Sequence, residues 1–154
     1  MTAMQMRPSA QQVATAWIKT VPELAGIDVA STLAPVGSWK TQDFIVVGAG
    51  LGGIPQTGVM VRSSVLQVTV FAKRPNSDRP AWNRASMTSE AIRDATYGSY
   101  QFGALEIPGG FLGVNLHSVE AMSEPRRGLG DPAAMALYSI DLLFVYDPAG
   151  LVVV

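Results

Sequence analysis

The clearest β-strand pattern in the sequence is Val65-Leu66-Gln67-Val68-Thr69-Val70-Phe71-Ala72-Lys73. Leu66, Val68, Val70 and Ala72 alternate with Gln67, Thr69, Phe71 and Lys73. A period of two predicts a β-strand with one buried face. A second strand with the same period is predicted from Ala136 to Tyr146. The shorter predicted strands are Ile27–Ala30, Phe44–Gly48 and Val114–Met122.

Two amphipathic helices are predicted around these strands. Ser9 and Gln12 form a Ser-x-x-Gln capping box, and apolar residues then recur at helical spacing until Pro22. A second helix is predicted between Pro80 and Gly98. The first apolar face comprises Val13, Ala14, Trp17, Ile18 and Val21, and the second comprises Ala81, Ala85, Thr88, Ile92 and Ala95.

The order helix, strands, helix, strands lacks a regular β-α-β alternation. It predicts an α+β fold with an antiparallel or mixed β-sheet and two main α-helices packed on one face. The length of 154 residues predicts a single domain over residues 1–154. Three stretches dense in Gly and Pro are predicted to be loops: Gly48–Gly58, Gly98–Gly113 and Ser123–Pro132.

The composition favours a protein that assembles with others. Charged residues make up only 15% of the chain, against about 25% in typical soluble domains. A shortage of polar surface residues indicates that neighbouring subunits cover some apolar surface. Residues 1–61 are neutral, residues 62–100 carry a net charge of +3 and residues 101–154 one of −4. That asymmetry suits head-to-tail contacts between identical subunits, although scattered, solvated charge would give the same totals.

Other classes of protein fit the sequence poorly. A net charge of −1 lacks the basic excess of a dedicated nucleic-acid binder. The chain has no cysteine, which excludes disulfides, thiolate zinc sites and cysteine nucleophiles. No apolar run approaches the roughly 20 residues of a membrane helix, and the amino terminus lacks the apolar core of a secretory signal. We therefore expect a soluble chain without a membrane partner.

The sequence Gly48-Ala49-Gly50-Leu51-Gly52-Gly53 matches the G-x-G-x-x-G of dinucleotide-binding proteins. That fingerprint needs a helix after its last glycine, so that the helix amino terminus can hold the pyrophosphate. Here Pro55 and Gly58 follow, and both oppose helix propagation. We interpret the motif as a glycine-rich hairpin or interface loop and expect no cofactor, with dinucleotide binding as the alternative.

No constellation of catalytic or metal-binding residues stands out. His117 is the only histidine, and strand geometry predicts that it and Glu120 point to opposite faces. The sequence also lacks the G-x-S-x-G motif, whose serine would be the nucleophile partnered by this histidine. We therefore expect neither an enzyme nor a metal site.

Several residues are candidates for contacts with partners. Arg126 and Arg127 could bind phosphates or carboxylates, or be solvated loop residues. Trp17 is predicted to be core, whereas Trp39 lies in a polar turn and is a plausible exposed interface anchor. The apolar end Leu151–Val154 needs either an intramolecular groove or a neighbouring subunit.

As a whole, the layout resembles the tail terminator proteins of long, non-contractile-tailed bacteriophages. The matching features run in the same order along nearly the whole chain: the first helix with Trp17-Ile18-Lys19, a Pro-bounded loop, the hairpin Gly48–Gly58, Val61-Arg62-Ser63 before the strand, the helix Ala81–Tyr97, and an Arg-Arg…Asp-Pro loop before the last strand. These are small α+β proteins that form a ring, usually a hexamer, on top of the tail tube.

The resemblance implies a structural protein of the virion that is assembled in the host cytoplasm. One ring face would cap the tail tube protein and stop its polymerisation, and the other would dock the head-completion or connector protein. DNA would meet the ring only while passing through its lumen. The implied contact surfaces are the loops Gly48–Gly58 and Ser123–Pro132 and the residues Arg62, Lys73 and Arg74. The candidate interface as a whole comprises Trp39, Gly50, Gly53, Arg62, Lys73, Arg74, Arg126, Arg127 and Val154. Another neck or tail-completion component is the alternative.

Overall fold

The computed structural model describes residues 6–50, 61–73, 80–97, 103–128 and 135–148. They contain two α-helices and seven β-strands. In chain order these are α1 (Ala10–Thr20), β1 (Asp28–Ala30), β2 (Asp43–Gly50), β3 (Arg62–Ala72), α2 (Trp82–Ala95), β4 (Gly103–Leu105), β5 (Val114–Ala121), β6 (Arg126–Arg127) and β7 (Ala136–Pro148).

The strands form one mixed sheet in the order β1-β2-β3-β7-β5-β4, and the short β6 also pairs with β7. β1 runs parallel to β2, and all the other described pairs are antiparallel. The strand predicted from the period of two is β3, which lies in the middle of the sheet. All eleven of its residues pair with β7, from Arg62 opposite Tyr146 to Ala72 opposite Ala136. The α+β prediction with a mixed sheet is confirmed.

Both helices pack on the same face of the sheet, as predicted. The main core joins Trp17 and Ile18 of α1 and Ile92 of α2 to Leu66 of β3 and Leu142 of β7, all of them 0% exposed. The apolar residues predicted for both helix faces are buried: Val13, Ala14, Trp17, Ile18, Val21, Ala81, Ala85, Thr88, Ile92 and Ala95.

The first helix begins where its capping box predicts. The Ser9 hydroxyl accepts from the Gln12 N–H at 3.3 Å, and the Gln12 side-chain oxygen accepts from the Ser9 N–H at 2.8 Å. Two of the unpaired amides at the helix start are thereby satisfied. At the other end, α1 stops at Thr20, two residues before Pro22, because proline cannot continue the helical hydrogen bonds.

Two predicted loops contain short strands. Gly98–Gly113 includes β4, paired with Leu116 through Val114 of β5, and Ser123–Pro132 includes β6, paired with Ser139 and Tyr138 of β7. Strands of two or three residues are too short to show a period, and they exist here because a longer neighbour supplies hydrogen-bond partners.

Candidate interaction surfaces

The sheet face opposite the helices carries apolar side chains that are only half-buried. We call this the outer face and define it by Val46, Val65, Phe71, Leu137, Leu143 and Val145. Phe71 pairs with Leu137 towards one end of this face and Val65 pairs with Leu143 towards the other, and the polar pairs Thr69 with Ser139 and Gln67 with Asp141 lie between them. Because both helices pack on the opposite face, no described helix covers this one.

Trp39 corrects a prediction. We expected an exposed interface anchor, but the side chain is only 8% exposed and packs against Phe44 and Met135 at one end of the outer face. Its Nε1 donates to the Ala34 carbonyl oxygen at 3.0 Å. The neighbouring polar residues Ser38 and Lys40 are exposed, which is why the turn looked polar in sequence.

Lys73 lies beside Trp39. Its ammonium is 5.0 Å from the centre of the Trp39 ring and donates to the Val36 carbonyl oxygen at 2.7 Å. Val36 and Leu33 in the same segment are 40% and 38% exposed. The structure thus brings two predicted interface residues together at the margin of the outer face, with the cation above the indole.

Arg126 and Arg127 do not form one cationic site, since consecutive strand residues point to opposite faces. Arg126 binds both carboxylate oxygens of Asp141, at 3.0 and 3.2 Å, and the Ser123 hydroxyl at 2.7 Å. The Arg127 guanidinium lies 3.7 Å from the centre of the Trp82 ring. Both arginines are exposed, and each contacts a side chain of its own domain.

The remaining candidate residues are dispersed. Arg62 is exposed at the start of β3, opposite Tyr146. Gly50 is the last residue of β2 and pairs with Leu66. The other predicted interface residues, Gly53, Arg74 and Val154, and the tail Leu151–Val154 lie outside the described residues.

The first half of the glycine motif belongs to an antiparallel strand. Gly48 lies in β2, and a Cβ there would approach the Gln67 backbone oxygen of β3 to 3.1 Å. β3 already begins at Arg62, antiparallel to β2, whereas a dinucleotide fingerprint needs a strand, a helix and a parallel strand. The position of Gly48 is explained by close strand packing, which weakens the dinucleotide alternative.

An ion pair between a buried carboxylate and an arginine whose side chain is 47% exposed links β2 to α2, and sequence reasoning missed it. Asp43 is 3% exposed and accepts from Arg84 Nε at 2.7 Å and from the Thr88 hydroxyl at 3.2 Å. These partners are more than 40 positions away in sequence, so no local pattern announces them. A cleft of about 580 Å³ adjoins the pair, lined also by Glu23 and Met87. Because Arg84 and Thr88 both bind the carboxylate, the arrangement clamps helix to sheet.

Around the end of α2, carboxylates surround one arginine. Arg93 lies 3.0 Å from Glu124 and 3.6 Å from Glu90. The Glu124 carboxylate raises the pKa of Arg93 above its ordinary value, with smaller contributions from Tyr97 and Glu90 in the same direction. Tyr97 is 74% exposed, and Met122, two residues before Glu124, is 54% exposed. Sequence reasoning missed this group too, because α2 and the β5–β6 connection meet only in the fold.

His117 lies at a bulge that changes the predicted geometry. The register of β5 shifts between Leu116 and Ser118, so His117 and Glu120 are both exposed rather than one being buried. The His117 Nε2 lies 3.3 Å from an Asp147 carboxylate oxygen. The prediction that alternation separates His117 and Glu120 is wrong, because a bulge adds one residue to the repeat. Within the described ranges, no three His, Cys, Asp or Glu side chains are grouped to hold a metal.

No protein-family model matches this chain, and no curated protein matches it. In the part of the chain that the structure describes, neither helix is long and apolar enough to cross a membrane.

Proposed function

We propose that this chain is a structural virion protein, a tail terminator whose subunits form a ring on the head-proximal end of a phage tail tube. The observation that carries the proposal is the outer face. Its apolar side chains form two patches, one around Phe71 and Leu137 and one around Leu143 and Val145, and they are half-buried in a single chain. Exposed apolar patches of this kind are typical of protein contacts.

Ring closure would place a second copy of the chain against the outer face. Each square ångström of apolar surface removed from water contributes about 25 cal/mol. Head-to-tail contacts that close on themselves give a ring instead of a filament. Once closed, the ring would offer no surface to which a further tube subunit can add, and that ends polymerisation without a chemical step.

Two sets of charged side chains are paired within the chain. Candidate cations at Arg126 and Arg127 are engaged by Asp141 and Trp82 within the chain. The buried Asp43 is held by Arg84 and Thr88. The proposal therefore rests on the outer face and not on these groups. The hexameric state, the tail tube protein and the head connector come from the resemblance to tail terminators.

The experiment that tests this role follows polymerisation of the cognate tail tube protein by electron microscopy, with and without the purified chain. We expect the chain to shorten the tubes and to sit at one end of each. Leu143→Asp, on the outer face, should abolish this effect. The matched control is Met87→Asp on α2, where the replaced side chain is 72% exposed and lies away from the outer face. Tubes of unchanged length with the wild-type chain would contradict the proposal.

A further inference from the structure

Two surfaces at different places on the sheet carry opposite charge. The basic surface comprises Lys19, Lys40, Lys73, Leu33 and Val36, with Asp28 as its one acid. The acidic surface comprises Glu90, Asp94, Glu124, Tyr97 and Met122, with Arg93 as its one base. Counting these residues gives net charges of +2 and −2.

The basic surface borders the open edge of the sheet. Lys19 of α1 and Lys40 line one groove of about 250 Å³ along β1, together with Asp28. Lys73 lies at the same end of the sheet, where its ammonium contacts the Trp39 ring and the Val36 carbonyl oxygen. Trp39 in turn packs with Phe44, next to Val46 and Phe71 of the outer face. The basic surface is thus continuous with the apolar face that the proposed ring must cover.

The acidic surface is poorly explained by the stability of its own helix. Asp94 lies in the last turn of α2, where the negative end of the helix dipole disfavours a carboxylate, whereas Glu90 lies one turn earlier and is 3.6 Å from Arg93 of the same helix. Tyr97 and Met122 expose 74% and 54% of their surface beside them. Large apolar side chains ringed by charge are typical of the centre and rim of a protein contact.

We propose that the acidic surface of one copy of this chain binds the basic surface and the adjoining outer face of the next. Tyr97 and Met122 would contact the apolar outer face, and the carboxylates would pair with the lysines at its rim. The two surfaces differ, so the contact is heterologous and runs head to tail. This inference rests on the proposed ring and adds which surfaces form its contacts.

Charge reversal tests the contact. Lys19→Glu with Lys40→Glu changes the basic surface from +2 to −2, since each replacement shifts the charge by two. Asp94→Lys with Glu124→Lys changes the acidic surface from −2 to +2. Each double variant alone should associate at least about 100-fold more weakly than the wild type by analytical ultracentrifugation, because like charges oppose across every contact. Far-ultraviolet circular dichroism and thermal unfolding check that both variants fold.

A mixture of the two double variants tests whether these two surfaces contact each other. Opposite charges then meet at every contact between unlike subunits, so the mixture should assemble into alternating rings with an even number of subunits. The matched control is Arg7→Glu, an exposed arginine outside both surfaces, which should assemble like the wild type.

Each result has one meaning. If each double variant alone assembles like the wild type, the assigned contact is wrong while the ring itself stands. If a mixture of folded variants stays dissociated, the pairing of these two surfaces is likewise overturned. If the wild type remains a monomer, both the contact and the ring fail.

Discussion

The two faces of the sheet differ in what covers them. On the inner face, Leu66 and Leu142 are fully buried beneath α1 and α2. On the outer face, their chain neighbours Val65 and Leu143 are half-buried, and no described helix lies above them. The helices cover the inner face, whereas the outer face has apolar patches on either side of polar residues such as Gln67 and Asp141. We expect the inner face to supply most of the stability of the domain, and we propose that the outer face contacts other subunits.

The adjacent pair Leu142 and Leu143 gives the sharpest test of that contrast. Leu142→Ala should lower the free energy of unfolding by about 2–5 kcal/mol, because it leaves a cavity in the core. Leu143→Ala should lower it much less and should instead weaken self-association. Urea unfolding and sedimentation of both variants measure the two effects. Equal losses of stability would mean that the outer face is also core.

The ion pair between β2 and α2 should contribute the next largest effect. Asp43→Asn leaves Arg84 without its carboxylate in a site where Asp43 is 3% exposed. We expect unfolding to become easier by about 1–3 kcal/mol, with assembly unchanged in the folded protein. Urea unfolding measures this loss, and an unaltered midpoint would show that Arg84 and Thr88 do not clamp the helix to the inner face.

Removing the amino-terminal cap of α1 should lower the free energy of unfolding by a smaller amount. Ser9→Ala removes the hydroxyl that accepts from the Gln12 N–H and should cost about 1 kcal/mol. The thermal midpoint should fall by a few degrees. The conservative Ser9→Thr, which keeps the hydroxyl, should recover most of the loss, and a lack of recovery would speak against capping as the cause.

The smallest effect is expected at Asp141, among the polar residues in the middle of the outer face. Asp141→Asn breaks the exposed pair with Arg126 and should change stability by less than about 1 kcal/mol, as is usual for solvated ion pairs. Compared with Asp43→Asn, the change tests whether burial sets the strength of ion pairs here. A larger loss for Asp141→Asn than for Asp43→Asn would reverse that ranking.

Local sequence patterns predicted what depends on nearby residues. The alternation around Val68 gave the central strand and its buried side, and the Ser9 box gave the start of α1. The predicted edge strand Ile27–Ala30 agrees with β1 to within one residue.

Long-range contacts could not be predicted in the same way. Trp39 is buried by Phe44 and Met135, and the latter is nearly 100 positions further along the chain. The β5 bulge depends on pairing with β7, and Asp43 meets Arg84 only when α2 docks. The charge totals of chain segments also mislead, because Asp141 is bound by Arg126 while the exposed carboxylates Glu90 and Asp94 come from the segment whose total is basic.

The measurement that tests the central claim most directly is native mass spectrometry of the purified chain over a series of concentrations. We expect a closed ring, with six subunits if the resemblance to tail terminators holds, and the mass of an integral number of bare chains. A monomer at every concentration would contradict the ring and favour another neck component. A retained dinucleotide mass would overturn our interpretation of Gly48 and Gly50 as parts of a structural hairpin.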